Sequence, residues 1–341
     1  MKKMKKRWEI TNFIRLVITL TLVVALEMTL VSCGKEGIAT GETAADGENL
    51  ESVAASSESL SQETSPESLK SESDKKNGSS DSIPDITVSD KVLTFTALKV
   101  GAADAFVLRS ADHVTVIDTA TDKKADILVN FLNKQGITGI DELIITHFDK
   151  DHVGGADQII NSFDIGTIYT TYRSKDSDQI DEYDAAMKLH GLTENVVTSE
   201  LSYQVGDVSY TIYPPQSPSY PDKESNNSSL VVKVTFGDNS ILFAGDAESA
   251  RLSELLANSD LSATILKVPH HGRYCDKTEA FIKRVSPTYA VITSSKGEPE
   301  DQQTVNTLTA NGAITFLTRD GSITFTITKD SIDYLQWCSL D

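Results

Sequence analysis

The chain of 341 residues is long enough for one large domain or two small ones, and its hydrophobic share of 39% is enough for a buried core. Its formal charge of −19 combines +4 from residues 1–32 with −7 from residues 34–84, which leaves about −16 for residues 85–341. A surface that acidic repels nucleic-acid backbones at long range, although it does not exclude a phosphate substrate at a metal site.

Residues 1–33 have the pattern of an export signal. A basic start at positions 2–7 precedes the apolar run from Leu16 to Leu26, which is short for a bilayer span and typical of a signal peptide. The stretch Leu30-Val31-Ser32-Cys33 resembles a bacterial lipobox, so Cys33 is the predicted lipidation site. An ordinary N-terminal membrane anchor is the alternative. The prediction is a lipoprotein on the extracellular face of the cell membrane.

Residues 34–84 are predicted to be a disordered tether. The segment is rich in serine and glutamate and has no aromatic residue. It cannot bury enough apolar surface to offset the entropy lost on ordering. We expect it to hold a domain of residues 85–341 away from the membrane.

The first half of that domain is predicted to alternate strands with helices. The spacing of Ile127, Leu128, Phe131 and Leu132 is helical, and Gly136 is a plausible stop. Strands are predicted at 92–100, 105–109, 114–118, 141–146 and 165–171, and helices at 123–136 and through Ile159-Ile160.

The second half has a similar pattern. Strands are predicted at 208–215, 228–236, 240–246, 263–272 and 288–294, and helices at 247–259 and 278–286. Segments 313–318 and 322–328 are predicted to form a closing hairpin around Asp320-Gly321. Two such halves predict two sheets with helices outside, which is a four-layer αββα sandwich.

Three predicted strands end in side chains that can bind a metal. These side chains are His147, Asp149, Asp151 and His152 after the strand at 141–146, Asp246 at the end of 240–246, and His270 and His271 in 263–272. Any one ending can be a polar turn, because aspartate and glycine are common turn residues. Three such endings together favour a metal site at the rim of the sheets.

The spacing within residues 147–152 suits two groups of ligands. His147 and Asp149 alternate along an extended chain, so both can point to one side. Asp151 and His152 follow as the chain turns and can address a neighbouring ion. Asp246 can bridge two ions, because a carboxylate has two oxygens. Two adjacent metals can hold a hydroxide nucleophile and both oxygens of a displacement. The pattern therefore predicts two divalent ions.

The stretch THFDKDHVGG at 146–155 resembles the HxHxDH motif of the metallo-β-lactamase superfamily, with Asp149 in place of the second histidine. This variant resembles the hydrolase domain of ComEC-type competence proteins, and also phosphorylcholine esterases. The resemblance covers roughly residues 90–330. The other segments that resemble this family are LKVGAADAFVLR with VTVIDTA at 98–120, NNSSLVVKVTFGDNSILFAGDAE at 226–248 and LKVPHHGR at 266–273.

The resemblance implies a metallo-β-lactamase fold and a set of functional residues. It makes Asp118 the family's first, mostly structural, aspartate. His271 is expected to be a ligand, and His270 is expected either to support a ligand or to contact a substrate oxyanion, with the reverse assignment left open. The implied metal ligands are His147, Asp149, Asp151, His152, Asp246 and His271, and the candidate catalytic residues are Asp151 and His270.

Departures from the family pattern bear on the metals. The third-motif histidine has no counterpart, because Asn226, Asn227 and Ser228 occupy that region, so the first metal is expected to be weakly held. A carboxylate-rich ligand set favours Mn²⁺, although Zn²⁺ stays open. A thiolate zinc site is disfavoured, because the chain has no CxxC. Whether Cys275 and Cys338 pair stays open.

The leading hypothesis is a lipid-anchored extracellular metallohydrolase, specifically a phosphodiesterase in which two ions supply a hydroxide nucleophile. Its substrate is expected to be a small molecule, a wall or lipid head group, or DNA, and no protein partner is implied. Lys267 and Arg273 could hold a phosphate oxygen or simply be exposed. β-Lactam hydrolysis is disfavoured by Asp149 and the missing histidine. The alternatives are a ComEC-like DNA nuclease and a non-catalytic envelope-binding lipoprotein. His113 and His190 are expected at the surface.

Overall fold

A computed structural model describes residues 83, 84, 86 and 89–338. The predicted signal peptide at 1–33, its lipidation site Cys33 and nearly all of the predicted tether at 34–84 lie outside these residues. No helix in the described part of the chain has the length and apolar character needed to cross a bilayer.

The described chain alternates short strands and helices. The strands are β1 (Leu93–Ala97), β2 (Ala105–Ser110), β3 (His113–Thr119), β4 (Gly139–Ile145), β5 (Asp164–Thr170), β6 (Glu194–Val196), β7 (Leu201–Val205), β8 (Val208–Tyr213), β9 (Val231–Phe236), β10 (Asn239–Phe243), β11 (Ile265–Lys267), β12 (Tyr289–Ile292), β13 (Ile314–Leu317), β14 (Ser322–Ile327) and β15 (Ile332–Trp337). The helices are α1 (Ala125–Lys134), α2 (Lys150–Val153), α3 (Ala156–Ser162), α4 (Asp178–His190), α5 (Glu224–Asn227), α6 (Ser249–Asn258), α7 (Thr278–Val285) and α8 (Gln302–Ala310).

The strands form two mixed sheets. One has eight strands in the order β15-β14-β1-β2-β3-β4-β5-β6, and the other has seven in the order β13-β12-β11-β10-β9-β8-β7. In the first sheet β3, β4, β5 and β6 run parallel, and in the second β10, β11, β12 and β13 do. Helices connect these parallel strands, as parallel pairing requires a crossover.

Three buried apolar clusters separate four layers. The central cluster joins the sheets: the Phe95 ring of β1 lies 5.0 Å from the Phe243 ring of β10, measured between centroids. A second cluster packs α1, α3 and α4 on the eight-stranded sheet, and a third packs α6, α7 and α8 on the other. Burying each large apolar side chain contributes roughly 1.5–3 kcal/mol. The predicted αββα sandwich is confirmed.

One predicted element is wrong. Segments 313–318 and 322–328 do not form a hairpin, because β13 pairs in parallel with β12 in the seven-stranded sheet while β14 pairs with β1 and β15 in the other. A short 3₁₀ turn, Thr318–Asp320, carries the chain from one sheet to the other. An alternating apolar pattern identifies a strand but not its partner, which is why the two segments were paired wrongly.

The candidate ligands follow the carboxyl ends of parallel strands. Residues 146–152 follow β4, Asp246 follows β10, and His270 and His271 follow β11. Carboxyl ends of parallel strands lie at one edge of a sheet, where open α/β sheets place their ligands. The topology therefore assembles residues that are far apart in the sequence.

Candidate metal centre

The turn after β4 is built on Asp118 at the end of β3. The Asp118 carboxylate accepts hydrogen bonds from the backbone N–H and the hydroxyl of Thr146, both at 2.7 Å. Its Oδ2 also lies 2.7 Å from His152 Nδ1. This contact fixes the ring and directs the opposite nitrogen, Nε2, toward the centre of the site, where it is buried and has no hydrogen-bond partner.

Two glycines let the backbone close around these residues. A Cβ at Gly155 would lie 2.4 Å from the carbonyl oxygen of Thr119, so this position requires close backbone approach. Gly245, just before Asp246, has a φ of 52°, and a Cβ there would lie 2.8 Å from the Ser229 side chain. A larger residue at Gly155 would displace the candidate ligands that precede it. A larger residue at Gly245 would displace Asp246, which follows it.

Four predicted ligands form one cluster. Ligand atoms of Asp151, His152, Asp246 and His271 all lie within 4.8 Å of one another. His271 Nε2 is 3.1 Å from Asp151 Oδ2 and 3.3 Å from Asp246 Oδ2. His152 Nε2 is 3.2 Å from Asp246 Oδ1. Two imidazole nitrogens and two carboxylates, with an orphaned buried nitrogen pointing inward, fit a divalent transition metal.

Charges in the cluster are strongly coupled. Burial lowers the pKa of His271, but Asp246 and Asp151 outweigh it and raise that pKa to about 9. Burial also lowers the pKa of His152, but Asp246, Asp118 and Asp104 hold it well above its ordinary value. The carboxylates therefore favour positive charge between them, which protons on the imidazoles or a divalent ion can supply.

The carboxylates show the opposite shift. Burial raises the pKa of Asp246, but His271, His152 and Lys267 outweigh it and hold that pKa well below the usual range. Burial also raises the pKa of Asp151, but the hydrogen bond to His271 and the charge of His152 bring it down to about 2. Both side chains are therefore ionised at neutral pH and available to a cation.

His147 and Asp149 form a pair beside the cluster rather than within it. His147 Nε2 is buried, has no hydrogen-bond partner and lies 3.5 Å from Asp149 Oδ2. The His147 ring is 4.0 Å from the ring of His152, measured between centroids. Asp149 also contacts Lys175 and the hydroxyl of Ser225. Burial raises the pKa of Asp149, but His147, Lys175 and Ser225 hold it below its ordinary value.

The two histidines after β11 have different positions. The predicted strand at 263–272 ends at Lys267, because Pro269 cannot donate to a ladder and His270 and His271 have φ values of 46° and 52°. The His271 side chain is only 8% exposed and belongs to the cluster, whereas that of His270 is 24% exposed. His270 Nδ1 is 2.9 Å from Glu248 Oε1, and its Nε2 is 4.0 Å from Asp246 Oδ2. His270 therefore lies at the mouth of the site.

The region that lacks the third-motif histidine supports the site indirectly. The Asn226 side-chain nitrogen is 3.3 Å from His270 Nε2. The side-chain oxygen Oδ1 of Asn227 accepts from the backbone N–H of Arg251, and the Ser228 hydroxyl donates to the backbone carbonyl of Ser225. Through these hydrogen bonds, the three residues hold the loop and His270.

Lys267 is neither exposed nor placed to meet a substrate, which corrects both interpretations of this residue. Its side chain is fully buried, where it forms ion pairs with Asp104 and Asp246 and donates to the carbonyl of Gly245 at 2.8 Å. Arg273 is exposed and lies 3.9 Å from Asp301. Lys175, which no motif indicated, lies beside the site and contacts Asp149.

His113 differs from its expected surface position, whereas His190 agrees with it. His113 is half-buried, 3.5 Å from Glu142 Oε2, because the inner face of β3 is covered by the second sheet; His190 is exposed. Cys275 and Cys338 are both free thiols. Sequence reasoning assigned no role to Asp104 or Thr293, which lie behind His271; the only signal was a polar residue in an otherwise small and apolar motif, GAADA.

A cavity of about 270 Å³ opens beside the cluster. Its lining comes from the turn after β4 with the start of α2, and from the loop between β5 and α4 with the first turn of α4. The lining residues are Asp149, Lys150, Asp151, Lys175, Asp176, Ser177 and Gln179. The lining carries two lysines, which can donate to an anionic group, and three carboxylates, which favour a cation.

Comparison with known proteins points to one family. The model of the metallo-beta-lactamase superfamily matches residues 98–294. ComE operon protein 3 of Bacillus subtilis is 29% identical over 171 residues, which is 50% of this chain and 22% of that protein. Competence protein ComA of Neisseria gonorrhoeae is 27% identical over 202 residues, 58% of this chain and 26% of that protein. The chain thus spans about a quarter of the length of these curated relatives.

Solved structures include similar folds. The metallo-beta-lactamase fold protein YhfI from Bacillus subtilis is 11% identical with a TM-score of 0.46, over 72% of this chain and 99% of that one. A metal-dependent hydrolase from Parabacteroides distasonis, described as putative in its source, is 14% identical with a TM-score of 0.44, over 67% of this chain and 93% of that one.

Proposed function

This chain belongs to the metallo-beta-lactamase superfamily, and from that premise we propose that it is a metal-dependent phosphodiesterase, anchored through lipidated Cys33 on the extracellular face of the cell membrane. One observation carries the enzymatic part: Asp151, His152, Asp246 and His271 come together from three strand ends with ligand atoms within 4.8 Å of one another. The pattern of residues 1–33 supports the anchoring.

Two ions are proposed, each Zn²⁺ or Mn²⁺. The cluster of Asp151, His152, Asp246 and His271 would hold one ion, and His147 with Asp149 would hold the other. Asp246 is suited to contact both, because it has two carboxylate oxygens. The aspartate at 149 hardens the second set of ligands and favours Mn²⁺ there. When bound, such ions supply Lewis acidity and a hydroxide nucleophile at neutral pH.

The residues around the cavity would bind and orient the substrate. Lys175 and Lys150 line the cavity and can each donate to a phosphate oxygen. Because Lys175 contacts Asp149, a phosphate group held by Lys175 would lie next to the candidate ligands. Asp151 also lines the cavity and would accept a proton from the attacking water.

His270 is proposed as the group that protonates the leaving oxygen. Glu248 holds its Nδ1 at 2.9 Å, which orients the ring and leaves Nε2 on the side of Asp246. A histidine that is oriented by a carboxylate and is 24% exposed can deliver a proton to a departing alkoxide.

The preferred substrate is a small phosphodiester or a wall or lipid head group. Residues 85–341 carry about −16, which disfavours a long polyanion. A DNA nuclease is the second candidate, because the similar proteins include a competence protein and Recombination protein 2 of Haemophilus influenzae. No protein partner is proposed.

Hydrolysis of bis-p-nitrophenyl phosphate by the full chain tests the enzymatic proposal. We expect activity that a chelator removes and that Mn²⁺ or Zn²⁺ restores. Asp246→Asn should lower the rate by orders of magnitude, because losing this carboxylate disturbs both ions. Asp238→Asn, an exposed aspartate in the turn before β10, is the matched control. No bound metal in the wild-type chain after adding either ion would overturn the proposal.

A further inference from the structure

Asp104 lies directly behind the candidate metal cluster, in the segment before β2. Its carboxylate is fully buried. Its Oδ1 accepts a hydrogen bond from the Thr293 hydroxyl at 2.6 Å, and Thr293 in turn lies 2.9 Å from His271 Nδ1. Its Oδ2 is 3.7 Å from His152 Nδ1. One carboxylate thus contacts the rear of both histidines in the cluster, once through a hydroxyl.

Lys267 completes this arrangement from the other sheet. It is the last residue of β11, it is fully buried, and its ammonium group forms an ion pair with Asp104 Oδ2. The same ammonium is 3.4 Å from Asp246 Oδ1. The backbone N–H of Asp104 also donates to the carbonyl of Asp151 at 3.0 Å. Each of the four cluster residues therefore contacts Asp104 or Lys267, either directly or through Thr293.

We propose that Asp104 and Lys267 are positioning residues whose ion pair sets the charge available to the metal. Asp104 takes the closer contact with the Lys267 ammonium, which leaves the lysine 3.4 Å from Asp246 Oδ1 and keeps Asp246 available to a cation. Asp104 holds the hydroxyl of Thr293 by a hydrogen bond, and Thr293 in turn orients His271 so that Nε2 faces the cluster. This inference rests on the metal centre of the proposed function and adds the control of its affinity.

If the charges of Asp104 and Lys267 control metal affinity, removing one charge and removing the other should change that affinity in opposite directions. A role in packing alone does not predict this difference. Without the charge of Asp104, Asp246 is the remaining anionic partner of Lys267, and the lysine competes with the metal. Without the charge of Lys267, Asp104 is an extra buried anion next to the two histidines, which attracts a divalent ion. The two single changes therefore have opposite effects on metal affinity, although both remove one partner of a buried pair and destabilise the fold.

The test measures metal affinity in the full chain by competition with a chromophoric chelator for Mn²⁺ and for Zn²⁺. Asp104→Asn is expected to lower the affinity about 10–100-fold, the usual cost of losing a partner behind a ligand. Lys267→Met is expected to bind at least as tightly as wild type, with a larger rise in melting temperature on metal addition. Thr293→Val should lower the metal affinity. Lys267→Met should change the affinity by the same factor in the Thr293→Val background as in the wild type.

The double change Asp104→Asn with Lys267→Met keeps the test decisive if Lys267→Met alone does not fold. Because it removes both charges, it is expected to bind more tightly than Asp104→Asn alone. Lys233→Met with Asp260→Asn is the matched control, a lysine and an aspartate 2.7 Å apart that belong to no candidate cluster. This control should leave metal affinity unchanged.

The outcomes separate this inference from the proposed function. Equal losses of affinity in Asp104→Asn and Lys267→Met, or no recovery in the double variant, would show that the pair only packs and would overturn the inference alone. A wild-type chain that binds neither ion would overturn both.

Discussion

His271 Nε2 lies 3.1 Å from Asp151 Oδ2, although 120 positions separate the two residues in the sequence. Asp151 follows β4 of the eight-stranded sheet, and His271 follows β11 of the seven-stranded sheet. The candidate metal centre therefore joins the two sheets at one edge, and an ion bound there would stabilise the folded chain by an amount that grows with the logarithm of its affinity.

The two adjacent histidines should separate metal binding from catalysis. His271→Ala is expected to lose metal and activity, because its Nε2 faces both Asp151 and Asp246. His270→Ala is expected to keep its metal and lose rate by about 10²–10⁴-fold, the usual contribution of a general acid. Elemental analysis and hydrolysis of bis-p-nitrophenyl phosphate on the same preparations measure both effects. Metal loss in His270→Ala with retention in His271→Ala would reverse the assignment.

Much of this site could be predicted from local sequence. The motif at 147–152, Asp246 and the two histidines each follow an apolar strand, and strands of this kind end at a common edge when they are parallel. The distinction between His270 and His271 could not be derived in this way. It depends on two left-handed residues in a turn after Pro269, and not on alternation along a strand.

The residues missed by sequence reasoning have partners far along the chain. In the sequence, Lys267 lies near two histidines and therefore resembles a substrate-binding cation. Its ion pair with Asp104 is evident only once both sheets are packed together. Helix α4 is not evident from the sequence, because the segment is mainly polar. Only four of its residues are buried, namely Ile180, Tyr183, Ala186 and Met187. Its stability comes from packing on the neighbouring layer, as is usual for such helices.

Metal binding should release protons and strengthen as pH rises. The pKa of His271 is raised to about 9 by Asp246 and Asp151 against the effect of burial, so without metal this ring is protonated at pH 7. A metal-binding imidazole must be neutral, so binding expels the proton. Calorimetry in buffers of different ionisation enthalpy should detect this release, and His190→Ala, on the exposed end of α4, should not change it.

The same pKa sets how the metal-free chain responds to pH. A group whose pKa is higher in the folded than in the unfolded state stabilises the fold below its unfolded pKa and loses that contribution as pH rises through its folded pKa. The melting temperature of the chelator-treated chain should therefore fall between pH 6.5 and about 9, and that of the metal-loaded chain should fall less. Equal curves for the two forms would contradict a metal at His271.

Lys175 should contribute to substrate binding rather than to metal binding. Its ammonium contacts Asp149 and lines the cavity next to the cluster. Lys175→Ala is expected to raise KM for a small phosphodiester about tenfold, in line with the loss of one hydrogen bond to a charged group. Metal content should stay unchanged, as should both parameters in the control Lys188→Ala, an exposed lysine on α4. A loss of metal instead would make Lys175 a support of Asp149.

Lipidation of Cys33 should hold the protein at the membrane. The basic start, the apolar run and the lipobox-like Leu30-Val31-Ser32-Cys33 are the sequence basis for this expectation. Cys33→Ala should lose acyl labelling and move out of the membrane fraction, whereas Cys275→Ala should do neither. Unchanged fractionation of Cys33→Ala, without acyl label on the wild type, would favour an ordinary N-terminal anchor.

The salt dependence of cleavage should distinguish a small phosphodiester from DNA as the substrate. A nuclease that grips a phosphate backbone with cations binds more weakly as salt rises, because binding releases counterions. A domain carrying about −16 that recognises one phosphate group with two lysines and metal ions should show little loss, or a gain as long-range repulsion is screened. We therefore expect cleavage of bis-p-nitrophenyl phosphate to vary little from low to high salt and duplex DNA to be a poor substrate at every salt concentration. Asp246→Asn is the control for metal-dependent cleavage of both substrates. Efficient DNA cleavage that declines steeply with salt would contradict this expectation and favour the nuclease.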